Sequence, residues 1–229
     1  MASDEGAFDD SGINVSDPHD RRGLKTDYIS ELHAQYLQAN FRGSGTALEL
    51  GCGYGRLTPA IRALGYDTVA LDPSMRLLRL ARRHLPEAGL CAGALPDLPF
   101  ADGSFDVVFL INVLRPLHLM GMKEIVDGIP RVLAPGGRLV LLDNLRRDDS
   151  RYVEEQWLHD RFAGFGLELV SRQAIRSGRW PGIFAIRYGL VPRRWFPALA
   201  RWEMSRLAGR TAVPRWTYQN VVFEFRKPG

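Results

Sequence analysis

Between Thr46 and Asp143 short apolar runs alternate with longer segments of period 3.6, and each junction carries Gly, Pro or Asp. TALEL, DTVAL, FDVVFL and GRLVLLD read as buried strands, because they are apolar on both faces, as strands of a helix-covered parallel sheet are. The segments between them read as helices: RLTPAIRALG, then SMRLLRLARRHL starting on the N-cap Ser74, then MKEIVDGIPRVL ending before APGG. Their lengths fit right-handed βαβ crossovers. Ahead of the sheet, Thr26 is positioned to cap a helix whose Ile29, Leu32, Tyr36 and Leu37 share one face and pack on the sheet's rim. After it, YVEEQWLHDRFAGFG reads as a helix closed by glycine and LELVSRQ as a strand. WTYQNVVFEFRK reads as an alternating terminal strand, expected at the sheet's edge. In the insert before that strand, Phe196, Ala200, Met204, Leu207 and Ala208 fall on one helical face, with Arg201 and Arg206 pointing away.

Composition narrows the class. With 229 residues, 45% of them hydrophobic and 24% charged, the chain suits a single folded domain over residues 21–229, with its core at 46–143. Two cysteines, Cys52 and Cys91, are too few for a disulfide framework or a four-ligand zinc site, and free thiols suit a reducing compartment. No apolar run approaches the ~18–20 residues that cross a bilayer, and the acidic opening MASDEGAFDD is unlike a secretory signal, so the expectation is cytoplasmic. The net charge of +4 is mild beside that of a dedicated nucleic-acid binder. Its distribution is uneven. Residues 1–20 hold six acids and no Lys or Arg, which reads as a mobile leader. Ser171 to Trp216 holds ten arginines, one acid (Glu203) and four of the five tryptophans. That segment reads as a solvated face, a lid over the substrate, or a surface for RNA, anionic lipid or acidic sugar; the lid, over 173–216, is favoured.

The strongest chemical signal is Glu49-Leu50-Gly51-Cys52-Gly53-Tyr54-Gly55, between the first strand and a helix. Glycines at such a turn permit positive φ and let a ligand reach backbone, and the helix N-terminus offers free N–H groups. The dinucleotide fingerprint would need glycine where Arg56 stands, which argues against a bound pyrophosphate. Asp72, 17 residues past Gly55 at the end of the second strand, is placed to accept both hydroxyls of a ribose.

ELGCGYG, LDPS, LPFADGSFDVVF and RVLAPGGRLVLLD, in that order, make the chain resemble the class I S-adenosylmethionine-dependent methyltransferases, in particular the small-substrate branch typified by the ubiquinone-biosynthesis enzymes. The resemblance covers Ala47 to Asp143 and continues more weakly through GFGLELVSRQ and NVVFEFRKP. It implies a Rossmann-like, doubly wound α/β sheet of seven strands with the last antiparallel, a helical N-terminal cap, and the basic helical insert before the last strand. It implies S-adenosyl-L-methionine as cofactor. Glu49 would lie near the methionine amino group; Gly51, Gly53 and Gly55, with Cys52 among them, beneath methionine and ribose; Asp72 on the ribose; Pro73 and Leu77 beside adenine. The family's acid for the adenine amine aligns with Ala94, so that contact passes to the backbone at Ala94 and Leu95. The family's histidine pair after the fourth strand is here Arg115-Pro116, followed by Leu117 and His118.

Methyl transfer from a sulfonium asks the protein to align donor and acceptor and, for a hydroxyl acceptor, to remove a proton. The expected function is transfer to an oxygen or nitrogen of a small molecule, without a metal and without nucleic acid. His118 is the first candidate base, with His33 and Tyr28 of the N-terminal helix at the same mouth. Asn112, Asp143 and Asn144 stand at the carboxyl ends of strands, where α/β sheets place ligands. Two rival readings remain at this stage: a tRNA methyltransferase using the Arg/Trp segment, and a protein that binds the cofactor without methylating.

Overall fold

The computed structural model describes residue 20 and residues 22–229. Seven strands, β1 (Thr46–Leu50), β2 (Asp67–Asp72), β3 (Gly89–Ala92), β4 (Phe105–Ile111), β5 (Leu133–Leu145), β6 (Glu168–Ser177) and β7 (Gln219–Arg226), form one sheet in the order β3-β2-β1-β4-β5-β7-β6. β1 to β5 pair in parallel, while β7 runs antiparallel to both β5 and β6. This is the doubly wound, Rossmann-like arrangement with a reversed last strand.

Strand alternation sends successive side chains to opposite faces, and both faces are buried. Leu48, Leu50, Val108, Leu110, Leu139 and Leu141 pack on one side with Ile129 and Val132 of α5 (Ile129–Val132) and Leu158 and Phe162 of α6 (Glu155–Gly164). Ala47, Val107, Phe109, Val140 and Leu142 pack on the other, with α1 (Leu24–Asn40), α2 (Thr58–Arg62), α7 (Pro181–Arg187) and α8 (Phe196–Leu207). Two further helices, α3 (Met75–His84) and α4 (Leu114–Leu119), follow β2 and β4. Ser74 caps α3 as expected, its hydroxyl accepting from Leu77 N.

Several elements differ from the sequence reading. The terminal strand is not an edge: β7 lies between β5 and β6 with Val221, Val222, Phe223 and Phe225 all buried, and β6 takes the edge, with Val170 55% exposed. Alternation is a fair sign of one wet face, but here both faces meet helices. MKEIVDGIPRVL is a 3₁₀ turn (Lys123–Gly128) leading into the four-residue α5, because Gly128 approaches the Pro96 carbonyl so closely that a Cβ would sit 2.1 Å from it. RLTPAIRALG is helical only over α2. Thr26 is not the cap of α1. Gly23 occupies that place, and the Asp20 carboxylate accepts from both Thr26 N (2.8 Å) and Thr26 Oγ1 (3.0 Å). Residues 1–19 of the expected leader lie outside the described residues, whereas Asp20, its last residue, is buried.

The insert also departs from expectation. α8 buries Phe196, Ala200, Glu203 and Leu207, with Ala208 exposed beyond its end. α8 packs on α1 and β6, and α7 on α1, so both helices rest against the N-terminal helix. The contact is anchored by the Tyr28 and Phe196 rings edge to face at 5.6 Å and by the Tyr28 hydroxyl, which donates to Glu203 Oε2 at 2.7 Å.

The interior position of β7 has a measurable consequence. Phe223→Ala should cost about 3–5 kcal/mol in urea unfolding, the range for a buried aromatic, while Val170→Ala on the edge strand should stay within about 0.5 kcal/mol. Equal effects would contradict the strand order.

Candidate functional site

The glycine loop turns sharply out of β1, with Gly51 N and Cys52 N both donating to Leu71 O of β2 at 2.8 and 3.0 Å. Gly51 holds φ at 70°, and a Cβ there would stand 2.5 Å from Val113 Cγ2, so only glycine keeps the turn and its face open. The loop is tied to the end of β2 by Asp72. One oxygen of its carboxylate accepts from Gly53 N at 2.7 Å and the other from Ser74 N at 2.9 Å. Asp72 is thus aimed by backbone on both sides. At the end of β4, Asn112 holds φ at 58° while its N–H donates to Leu142 O, a left-handed residue that Asn tolerates better than most.

Two cavities open at this rim. One, of about 400 Å³, is lined by Leu71, Pro73, Ala94, Leu95, Leu117 and Ile125 among others, with Asp72 as its charged group. The second, of about 350 Å³, is polar, with His33, Glu49, Arg56, Arg115, Arg176 and Tyr218 in its wall. Gly51, Gly53, Leu77, Asn112 and Pro116 belong to both, so the two form one continuous site. No cluster of three or more His, Cys, Asp or Glu suited to a metal occurs among the described residues.

Burial sets the protonation of the polar half. It pushes the Glu49 carboxyl up to about 7, against the Thr58 hydroxyl, which donates to it at 2.6 Å, and the nearby Arg56. Burial, followed by the charges of Arg56 and Arg176, drives His33 well below the usual imidazole range, so the ring is neutral. Its Nε2 lies 3.5 Å from Asn220 Oδ1, and its buried Nδ1 has no partner. Tyr218 moves the other way. Burial would raise it, but the charges of Arg176, Lys25 and Arg115 and the Arg176 hydrogen bond lower the phenol below its ordinary value. Cys52 is pushed above the normal thiol range by burial and then by Glu49 and Asp72, the opposite of an activated nucleophile.

Of the residues singled out from the sequence, Glu49, Gly51, Cys52, Gly53, Asp72, Pro73, Leu77, Ala94, Leu95 and Asn112 line one cavity or both. Gly55 does not; a Cβ there would meet Leu85 Cδ1 at 2.7 Å, so this glycine admits α3 against the loop. Among the three candidate bases only His33 lines the site. The His118 ring nitrogen Nε2 is 2.8 Å from Ser150 O, outside both linings, and the Tyr28 hydroxyl is spent on Glu203. Of the neighbours Asp143 and Asn144, both expected at the ligand-facing rim, one lines a cavity and the other does not. Asn144 lines the polar cavity, while Asp143 is buried beneath it and accepts from Leu114 N (2.8 Å), Asn144 N (2.7 Å) and Arg115 N (3.3 Å), holding the start of α4. Burial pushes Asp143 up to about 6.

Sequence reasoning missed Arg56, Arg115, Tyr152, Arg176, Tyr218 and Asn220 as lining residues. For Arg176, Tyr218 and Asn220 a signal existed. Once β7 is reversed, its first residues share a rim with the carboxyl ends of the other strands.

Residues 48–141 match a protein-family model described as "Methyltransferase domain". A Ubiquinone biosynthesis O-methyltransferase of Methylococcus capsulatus is 33% identical over 133 residues, 55% of this chain and 54% of that protein. An uncharacterized methyltransferase of Synechocystis is 36% identical over 96 residues, 42% of this chain and 45% of that protein. The chain thus spans about half the length of these curated relatives. Among solved structures, the [4+2]-cyclase SpnF superposes with a TM-score of 0.62 at 19% identity, over 88% of this chain and 81% of that one. A Haemonchus contortus phosphoethanolamine N-methyltransferase 2 in complex with S-adenosyl-L-methionine superposes with a TM-score of 0.57 at 15% identity, over 88% of this chain and 53% of that one. At these identities the likeness to solved structures is one of fold.

The raised Glu49 carboxyl yields a stability test. A buried acid whose folded value lies near 7 favours the native state while protonated and costs stability as pH rises from its unfolded value, near 4.5, through 7. Glu49→Gln should therefore match the parent at about pH 4 and exceed it at about pH 8 by roughly 1–3 kcal/mol in urea unfolding. A difference that does not change with pH would contradict the burial of that charge.

Proposed function

For a chain whose residues 48–141 match a methyltransferase-domain model, we propose that the protein is a class I S-adenosylmethionine-dependent methyltransferase that transfers a methyl group from S-adenosyl-L-methionine to an oxygen or nitrogen of a small molecule, as one domain over residues 21–229. The observation that carries this is the joining of the two cavities. An apolar one with a single oriented carboxylate meets a polar one across the glycine loop and Asn112. The apolar half suits a nucleoside, with Asp72 taking the ribose hydroxyls and Pro73, Leu77, Ala94 and Leu95 around the base. Gly51 and Gly53 line both cavities, which places the glycine turn where a ligand spanning them would touch backbone. Glu49, in the polar half, suits the cofactor's ammonium as a carboxylate.

When bound, the cofactor would supply an electrophilic methyl carbon to the acceptor's lone pair, with its sulfur keeping the carbon–sulfur electron pair. The protein's part is alignment and proton removal. His33, neutral and with Nδ1 unpartnered, takes the acceptor's proton when the acceptor is a hydroxyl. Asn220 holds the ring from its other side. A polar cavity of about 350 Å³ is at the scale of a small molecule. Small-molecule transfer is also supported by relatives named for ubiquinone biosynthesis and for demethylmenaquinone. No helix among the described residues is long and apolar enough to cross a membrane, and the free thiols Cys52 and Cys91 suit a reducing compartment, which favours the cytoplasm.

The reading is tested with S-adenosylhomocysteine and methyl-labelled cofactor. Asp72→Ala should weaken S-adenosylhomocysteine binding about 100-fold by calorimetry; unchanged affinity removes the ribose role. With a fractionated cell extract as acceptor, label should enter small molecules rather than RNA. His33→Ala should slow that transfer about 100-fold with cofactor binding retained, and His118→Ala should leave it within about twofold.

A further inference from the structure

We propose that the methyl acceptor is an anion, and that its carboxylate or phosphate is held between Arg115 and Arg176 in the polar cavity. The inference rests on the methyl-transfer reading and names the substrate class of that same site.

Four residues of the cavity wall form a continuous stack. The Arg115 guanidinium lies 5.0 Å from the Tyr152 ring, Tyr152 stacks on Tyr218 with centroids 6.1 Å apart and planes 23° from parallel, and the Arg176 guanidinium lies 5.3 Å from the Tyr218 ring. The two tyrosines join the two cations along one wall, each guanidinium lying against a tyrosine ring. Arg176 is 2% exposed. It donates through Nε to Asn220 Oδ1 (2.6 Å), through one Nη to Tyr218 Oη (2.8 Å) and through the other to Ser177 O (3.3 Å). Guanidinium has five N–H groups, so two remain. The Arg115 Nε is buried with no partner at all.

Neither cation forms a direct ion pair among the described residues, although Asp143 feels the Arg115 charge and Glu203 that of Arg176. Arg131, Arg161, Arg172, Arg193 and Arg215 each sit in an ion pair with an aspartate or glutamate. Among the described residues Arg56, Arg115 and Arg176 form none within 4.0 Å, although all three line one cavity. Glu203 feels the Arg176 charge, but its two oxygens are engaged by Tyr28 Oη and Ser177 N. The acid in the cavity wall is Glu49, and with it ionised the wall still carries an excess of two positive charges. The proposed cofactor adds a sulfonium and no net negative charge. A buried guanidinium without a counter-ion is costly, and the cost is relieved when a ligand brings the oxyanion. Arginine suits that task because its planar fork meets carboxylate or phosphate with two parallel hydrogen bonds.

The arginines also act on two neighbours: the Arg176 charge adds to burial and Arg56 in keeping His33 neutral, and Arg176 and Arg115, with Lys25, lower Tyr218 against the effect of burial. An acceptor anchored by its anion at the stack presents its nucleophilic atom toward the wall that both cavities share, with His33 on the same cavity to take the proton.

The test uses the full chain saturated with S-adenosylhomocysteine and titrates it with benzoate, phenyl phosphate and, as the uncharged isostere of benzoate, benzamide. Either anion should bind about tenfold or more tightly than benzamide, and the stronger of the two identifies the oxyanion. Arg115→Gln and Arg176→Gln should each weaken the preferred anion about tenfold while S-adenosylhomocysteine affinity stays within about threefold. Arg176 is a buried hydrogen-bonding hub, so Arg115→Gln, on the half-buried side, keeps the test decisive if Arg176→Gln does not fold. Benzamide binding as well as both anions overturns the proposal, as does anion binding that survives both substitutions. A fall in S-adenosylhomocysteine affinity equal to that for the anion also overturns it, since the arginines would then hold the cofactor's own carboxylate. If the parent protein fails to bind S-adenosylhomocysteine, the methyl-transfer reading falls, and this inference with it.

Discussion

β7 runs antiparallel between β5 and β6, so its amino-terminal residues lie at the rim where the other six strands end. Carboxyl ends of parallel strands already gather ligand-facing side chains. Reversing β7 adds Tyr218 and Asn220 from the opposite end of a strand, and the pairing of β6 with β7 brings Arg176 level with Asn220. Asn220 is the joint of that rim. It accepts from Arg176 Nε, its amide donates to Asn144 Oδ1 of β5, and His33 of α1 stands beside it. Three strands and the N-terminal helix meet on one side chain, which is why the polar cavity depends on the strand order rather than on any local motif.

Keeping so many polar groups at a buried rim has a cost, and the structure meets it unevenly. Asp72 and Asp143 are both buried carboxylates, each taken by backbone N–H groups, and each fixes a neighbouring segment: the glycine loop in one case, the start of α4 in the other. The second of these sets Arg115, whose own N–H reaches Asp143 while its guanidinium lies over Tyr152. In contrast, His33 Nδ1 and Arg115 Nε are left without partners in the cavity wall. Satisfied groups build the frame of the site. Unsatisfied ones are left for a partner that the protein itself does not supply.

The insert illustrates how charge patterning misleads about position. Ten arginines and four tryptophans stand in one stretch whose helices α7 and α8 pack on α1, and Arg176 is the arginine of that stretch that lines the cavity. The one acid of the stretch, Glu203, is buried, joining Tyr28 of α1 to the backbone of Ser177. A run of arginine is read from the chain as a surface; which member turns inward depends on the partner that covers it.

The apolar half of the site, the half proposed for the cofactor, has a lining that was legible from the chain because its parts are local. A glycine turn, an acid at the end of the next strand and a helix cap at Ser74 follow from short-range backbone geometry, and Gly51, Asp72, Pro73 and Leu77 line the site. Gly55, His118, Tyr28 and the edge strand were misplaced because each depends on what packs against it: α3 on the loop, Ser150 on the imidazole, Glu203 on the phenol, β6 on the outer side of β7. By itself the sequence determined the alternation of strands and helices, and with it the parallel core and the loop, since period and turn chemistry are properties of neighbouring residues. The tertiary structure alone decided the polar half. Arg115, Tyr152, Arg176, Tyr218 and Asn220 are far apart along the chain, and their stack and hydrogen bonds exist only once β7 is reversed between β5 and β6.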